Sequence, residues 1–187
     1  FREGFNLPFF LTMCFNTNRI EFGINRTIRT ICVNWVLASD HAGVQLKKAL
    51  LAFLEEQGHF AHDLGVSDNG ESADYPEPAD NAVEAMLKGG ADMGILVCGT
   101  GLGVSMRANR YKGIRATLIT NDFSAKAAKE HSNANILCFG ERITSEQDAL
   151  RYLKIFLENT FEGGRHQRRL DKLDAPLVTE ENEGAKK

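Results

Sequence analysis

The chain has 187 residues, 43% hydrophobic and 25% charged, with a net charge of −3. These proportions suit one folded domain with added ends and exclude a mainly disordered chain. Near-balanced charge argues against nucleic acid or an anionic membrane as partner, and no apolar run reaches the roughly 18 residues of a membrane helix.

Residues 1–30 are rich in Phe and free of Lys, with four Arg against two Glu. They read as an N-terminal extension; a targeting leader and an extension without that role both fit. A strand–helix alternation follows. Residues 31–39 form an apolar, β-branched strand that ends in Asp40-His41-Ala42-Gly43. A helix comes next, with Leu46, Ala49, Leu50, Phe53 and Leu54 on one face and Lys47, Lys48, Glu55 and Glu56 on the other, and Gly58 stops it. Residues 59–64 are a short strand, and the polar loop 65–78 carries Asp74-Tyr75-Pro76. A helix is predicted over 78–87. Residues 93–98 are a wholly apolar strand of the buried parallel kind, and Gly99-Thr100-Gly101-Leu102-Gly103 then opens a third helix. Strands are predicted over 114–119 and 135–139, and helices over 124–130 and 145–159.

This alternation predicts an α/β fold: a three-layer, Rossmann-like (flavodoxin-like) five-stranded parallel sheet with helices on both faces. The catalytic domain is placed at 31–173, with a polar tail at 174–187. Cys14, Cys32, Cys98 and Cys138 lie far apart, with no Cys-x-x-Cys pair. That spacing suits reduced thiols in a cytoplasmic protein rather than disulfides or a zinc site.

The candidate chemistry lies at strand ends. In open α/β sheets ligands bind beyond the carboxyl ends of the strands, where the strand order reverses, here between the first and third strands. Asp40-His41 and the glycine loop would then form two lips of one crevice. Three glycines in five residues let backbone N–H groups converge on an anion. The loop is not a dinucleotide fingerprint, because Val104 stands where a third spaced glycine belongs, and it lacks the Lys-Ser/Thr of a P-loop. A thiol at a helix start has its thiolate favoured, so Cys98 fits a base or nucleophile as well as it fits a buried strand cysteine. Arg165 and Arg169 are four apart, suited to one phosphate or to a solvated basic turn. His131 fits a proton-transfer group at the crevice rim or a helix cap.

Ala38-Ser39-Asp40-His41-Ala42-Gly43, Asp74-Tyr75-Pro76, Cys98-Gly99-Thr100-Gly101-Leu102-Gly103, Ala108-Asn109, Gly113-Ile114-Arg115-Ala116, Glu130-His131, Asn135-Ile136-Leu137 and Phe161-Glu162-Gly163-Gly164-Arg165-His166 occur in this order. Together they resemble the type B ribose-5-phosphate isomerases, in the family shared with galactose-6-phosphate isomerase subunits. The resemblance spans roughly 31–173. It implies interconversion of ribose 5-phosphate and ribulose 5-phosphate through an enediolate, in the pentose phosphate pathway, with no metal or organic cofactor. By that resemblance Cys98 moves the proton between C1 and C2, and Thr100 assists at the reacting oxygens. The backbone of Gly99, Gly101, Leu102 and Gly103 holds the enediolate, and His131 opens the sugar ring. Asp40 contacts sugar hydroxyls, and Tyr75 and Asn109 line the site. His41, Arg165 and Arg169 bind phosphate, the arginines reaching in from a second subunit. The implied assembly is a homodimer or dimer of dimers with shared sites.

The chain departs from the family at Ser132-Asn133, where Asn-Asp is usual, and at Arg107, which replaces a small residue. Ser132 is thus a weaker substrate-binding candidate. A six-carbon substrate (allose or galactose 6-phosphate) and a non-catalytic phosphate-binding module stand as alternatives.

Overall fold

The computed structural model describes residues 32–67 and 72–175. The expectations for 1–31 and for the tail from 176 lie outside them. The strands are Asn34–Ser39 (β1), Phe60–Asp63 (β2), Met93–Cys98 (β3), Ala116–Leu118 (β4) and Ile136–Gly140 (β5). The helices are Val44–Glu56 (α1), Pro76–Leu87 (α2), Leu102–Ala108 (α3), Asp122–Glu130 (α4), Glu146–Glu158 (α5) and Arg165–Leu173 (α6).

All strand pairs are parallel, in the order β2-β1-β3-β5-β4. The Rossmann-like layering and the reversal between β1 and β3 agree with the sequence reading. The far side does not: a flavodoxin-like order would place β4 next to β3. Burial explains the exchange. Every residue of β5 is buried, whereas β4 is only three half-buried residues with Thr117 at its centre. The more apolar strand takes the interior place, and the short one takes the edge.

Alternation along the strands builds two cores. Trp35, Leu37, Ile95, Val97, Leu137 and Phe139 face α1, α4 and α5. Val36, Ala38, Leu96, Cys98, Ile136 and Cys138 face α2 and α3. Each fully buried Leu or Phe contributes about 1.5–3 kcal/mol relative to exposure. The helices start where polar side chains meet bare N–H groups: Asn121 and Ser124 form a reciprocal cap on α4, and Ser145 caps α5. Pro76, not Pro78, opens α2, at a position where a missing N–H costs nothing.

Lys47 belongs to the core side, not to the polar face of α1. It is fully buried, and its Nζ donates to Asp63 Oδ1 at 2.7 Å and to the Val66 carbonyl at 2.9 Å. A buried ammonium needs such partners. The contact ties α1 to the exit of β2. α6 is a helix that the strand–helix pattern did not mark.

Candidate active site

At the carboxyl ends of the strands, Cys98 is the last residue of β3 and is 4% exposed. The chain then doubles back, and the Gly101 N–H donates to Cys98 Sγ at 3.1 Å. Only glycine serves there: φ is +73°, and a Cβ would lie 2.5 Å from Leu118 Cδ1. The loop thus delivers a backbone hydrogen-bond donor onto the sulfur. The Thr100 hydroxyl accepts from the Leu102 N–H at 3.4 Å and is exposed. The Tyr75 ring lies against Gly103, where a Cβ would come within 2.8 Å of ring atoms. On the neighbouring strand the Asp40 N–H donates to the Val97 carbonyl at 3.3 Å, and Asp40 Oδ1 accepts from the Ala42 N–H at 2.9 Å. His41 is exposed, with Nδ1 3.1 Å from the Ala73 carbonyl oxygen.

Two further observations concern this end. Arg142, which sequence reading missed, sets its guanidinium over Gly99, 3.3 Å from where a Cβ would stand, and its backbone N–H donates to the Gly99 carbonyl at 3.0 Å. It follows β5, so only the true strand order brings it beside β3. Cys138 is wholly buried, and burial pushes its thiol up, with Cys98 adding in the same direction. It is a core residue.

His131 and Ser132 are elsewhere. In the parallel register Gly94 pairs with Ile136 and Cys98 with Gly140. Both residues sit between α4 and Ile136, at the amino ends of the strands. Roughly 13 Å of strand separates that edge from Cys98, at about 3.3 Å per residue. His131 therefore does not reach the rim of its own chain's crevice, contrary to expectation. A helix following a strand returns the chain to the opposite edge, and α4 does so. Asn109, His131, Ser132 and Arg169 line one groove of about 960 Å³ at this end. The Asn109 amide is engaged by backbone: Nδ2 donates to the Ser105 and Ala116 carbonyls, and Oδ1 accepts from the Ala116 N–H. Arg165 and Arg169 are exposed on α6.

The His131 ring stacks on that of His166, centroids 4.3 Å apart and planes 1° from parallel. Burial holds the His166 pKa below the ordinary range; His131, Arg165 and Arg169 add in that direction, and Glu162 opposes. His131, Glu162 and His166 offer ligand atoms within 4.8 Å of one another. Parallel rings send their nitrogen lone pairs side by side rather than to one point, and Arg165 Nε lies 3.2 Å from His166 Nε2. The cluster accommodates the Arg165 guanidinium better than a metal ion.

Arg107, the unusual residue of the loop helix, makes a two-pronged pair with Asp80 at 2.7 Å and joins α3 to α2. Among the described residues no helix is long and apolar enough to cross a membrane.

A polarised thiol on a glycine loop at a sheet reversal, with exposed arginines and a histidine at the other edge, defines an α/β enzyme for small anionic substrates. Comparison makes this specific. Residues 35–173 match the model of the Ribose/Galactose Isomerase family. The ribose-5-phosphate isomerase B of Escherichia coli is 38% identical over 136 residues, 73% of this chain and 91% of that one. A solved ribose 5-phosphate isomerase from Thermotoga maritima is 44% identical with a TM-score of 0.72, covering 76% of this chain and 97% of that one. The Mycoplasma genitalium ribose-5-phosphate isomerase B, solved with bound ribulose-5-phosphate, is 39% identical with a TM-score of 0.71, covering 75% and 93%. The chain belongs to the ribose/galactose isomerase family and is an enzyme of the aldose–ketose isomerase type.

Proposed function

We propose that this chain interconverts ribose 5-phosphate and ribulose 5-phosphate in the cytoplasm, with Cys98 as the base. The observation that carries the reading is the Gly101 N–H on Cys98 Sγ at 3.1 Å, in the glycine loop that follows β3. A proton on a carbon beside a carbonyl is weakly acidic. Removing it requires a placed base together with stabilisation of the oxyanion that forms. Cys98 takes the C2 proton of the open-chain aldose and returns it to C1 of the ketose. With the Gly101 N–H held by the sulfur, the N–H groups of Gly99, Leu102 and Gly103 hold the enediolate, each such donor contributing about 3–4 kcal/mol in the transition state. Thr100 passes protons between the two reacting oxygens. Asp40 binds hydroxyls, Tyr75 closes one wall, and Arg142 adds positive charge at the loop. His131 opens the furanose ring by proton transfer, and His41, Arg165 and Arg169 bind phosphate.

The position of these groups at two opposite edges supports a site shared by two copies in a homodimer. One copy supplies the thiol end and its partner the histidine–arginine end. Leu102 and Met106, 48% and 62% exposed on α3, supply apolar surface for such an interface. Mixing inactive Cys98→Ala protein with inactive Arg165→Ala/Arg169→Ala protein tests both ideas. Mixed dimers carry one doubly damaged and one intact site, so ribulose 5-phosphate formation should return. Proven heterodimers without activity would rule out the shared site. Ser132 lines the groove with a shorter side chain than the family's usual Asn, which favours a longer substrate as the second reading. A panel of ribose, allose and galactose phosphates decides between them.

A further inference from the structure

His166 has no task in the mechanism above, yet it is 4% exposed and lies flat on His131. Two groups approach its Nε2: Arg165 Nε at 3.2 Å and Glu162 Oε2 at 3.4 Å. These contacts demand opposite protonation states. A guanidinium N–H can only donate, so Arg165 needs a bare Nε2. A carboxylate can only accept, so Glu162 needs an Nε2–H. One nitrogen serves one of them at a time.

We propose that His166 is a positioning residue: neutral, with its hydrogen on Nδ1, it holds Arg165 by its Nε and leaves the two outer guanidinium nitrogens free for the substrate phosphate; protonated, it releases Arg165 and pairs with Glu162. The inference rests on the reading of Arg165 as a phosphate ligand. The groups facing His166 are His131 after α4, Glu162 before α6, and Arg165 and Arg169 on α6. Three of these favour the neutral ring and one opposes it, and burial adds to the majority. The neutral form is therefore the resting one near neutral pH, and acid reaches the other. Holding a long exposed side chain in its binding position removes part of the ordering cost of binding.

The test uses the full chain and three variants between about pH 5 and 8, the range where histidine titrates. In His166→Gln a carboxamide oxygen accepts from Arg165 at every pH. KM for ribose 5-phosphate should stay low and lose part of the rise that the unaltered protein shows in acid. The substrate phosphate and His41 are the same in both proteins, and His166→Phe, which also removes the ring nitrogens facing His131, shows how much of the difference comes through that neighbour. His166→Phe keeps the packing without an acceptor, and KM should rise about three- to tenfold with kcat within about twofold. Glu162→Gln removes the negative charge that favours the protonated ring and should move the acid rise of KM to lower pH. An acid limb of His166→Gln that superimposes on the unaltered one would overturn the proposal. So would an unchanged KM in a folded His166→Phe protein. Calorimetric binding of inorganic phosphate repeats the comparison without turnover. A chain inactive on every sugar phosphate that still shows this difference in phosphate affinity would sink the isomerase reading and keep this one.

Discussion

The two ends of the sheet are built by different means. At the carboxyl end, chemistry is delivered by backbone: a strand stops at Cys98, a loop folds back, and a main-chain N–H points at the sulfur. Asp40 likewise has its backbone fastened to the next strand. At the amino end, chemistry is carried by long side chains on α6 and after α4, and they position one another through stacking and hydrogen bonds. A backbone site is stiff and tolerates few residue changes. A side-chain site is adjustable and responds to pH. Under the proposed function the difference suits a division in which one end performs the proton transfer that needs fixed geometry and the other opens the sugar ring and grips the phosphate.

Substitutions can break that division, and the largest effect belongs to the stiff end. Cys98→Ala should lower kcat about a thousandfold, the scale of a lost general base, while the protein still folds. Activity within tenfold of the unaltered protein would remove Cys98 from the role. At the adjustable end, Arg165→Ala should raise KM about tenfold, since a charge-assisted phosphate contact contributes about 1.5–3 kcal/mol. A fall in kcat with constant KM would instead place Arg165 in the chemistry. The smallest effect belongs to neither end. Asp80 has its pKa lowered below 3.8, first by its hydrogen bond to Arg107, with Tyr111 adding a second. A depressed carboxylate stabilises the fold above its unfolded pKa and ceases to as the pH falls through the folded one. Asp80→Asn should therefore lower the melting temperature slightly at neutral pH, and the gap should close below about pH 4. A gap that persists in acid would mean that the charge is not what matters.

The sequence made the carboxyl end largely legible, because its residues are adjacent in the chain. Cys98 to Gly103 is one stretch, and the apolar run before it identifies the strand that carries it. Arg142 was hidden because its place depends on which strand lies beside β3, a property of the whole sheet. His131 was put at the wrong edge for a related reason: periodicity marks a helix and its end, but the direction of return must be traced through the topology. Lys47 misled the helical reading because a charged residue normally marks the wet face, and only the fold shows Asp63 and the Val66 carbonyl waiting for it. α6 escaped because it is so polar, with only His166 and Leu170 buried.

The exchange of β4 and β5 also has a consequence for how the chain is assembled. Among the described residues β4 pairs only with β5, which comes later in the sequence. During synthesis the segment 116–118 therefore leaves the ribosome with no strand to join, while β2, β1 and β3 can already pair. Its partner arrives only after α4, and β5 must enter between a finished edge and a waiting strand. Such out-of-order pairing raises the sequence separation of the contacts and slows folding. A nascent chain ended just before Ile136 should hold β1, β2 and β3 together while leaving 116–118 open to hydrogen exchange, a stage that a sheet built in the order β2-β1-β3-β4-β5 would never pass through.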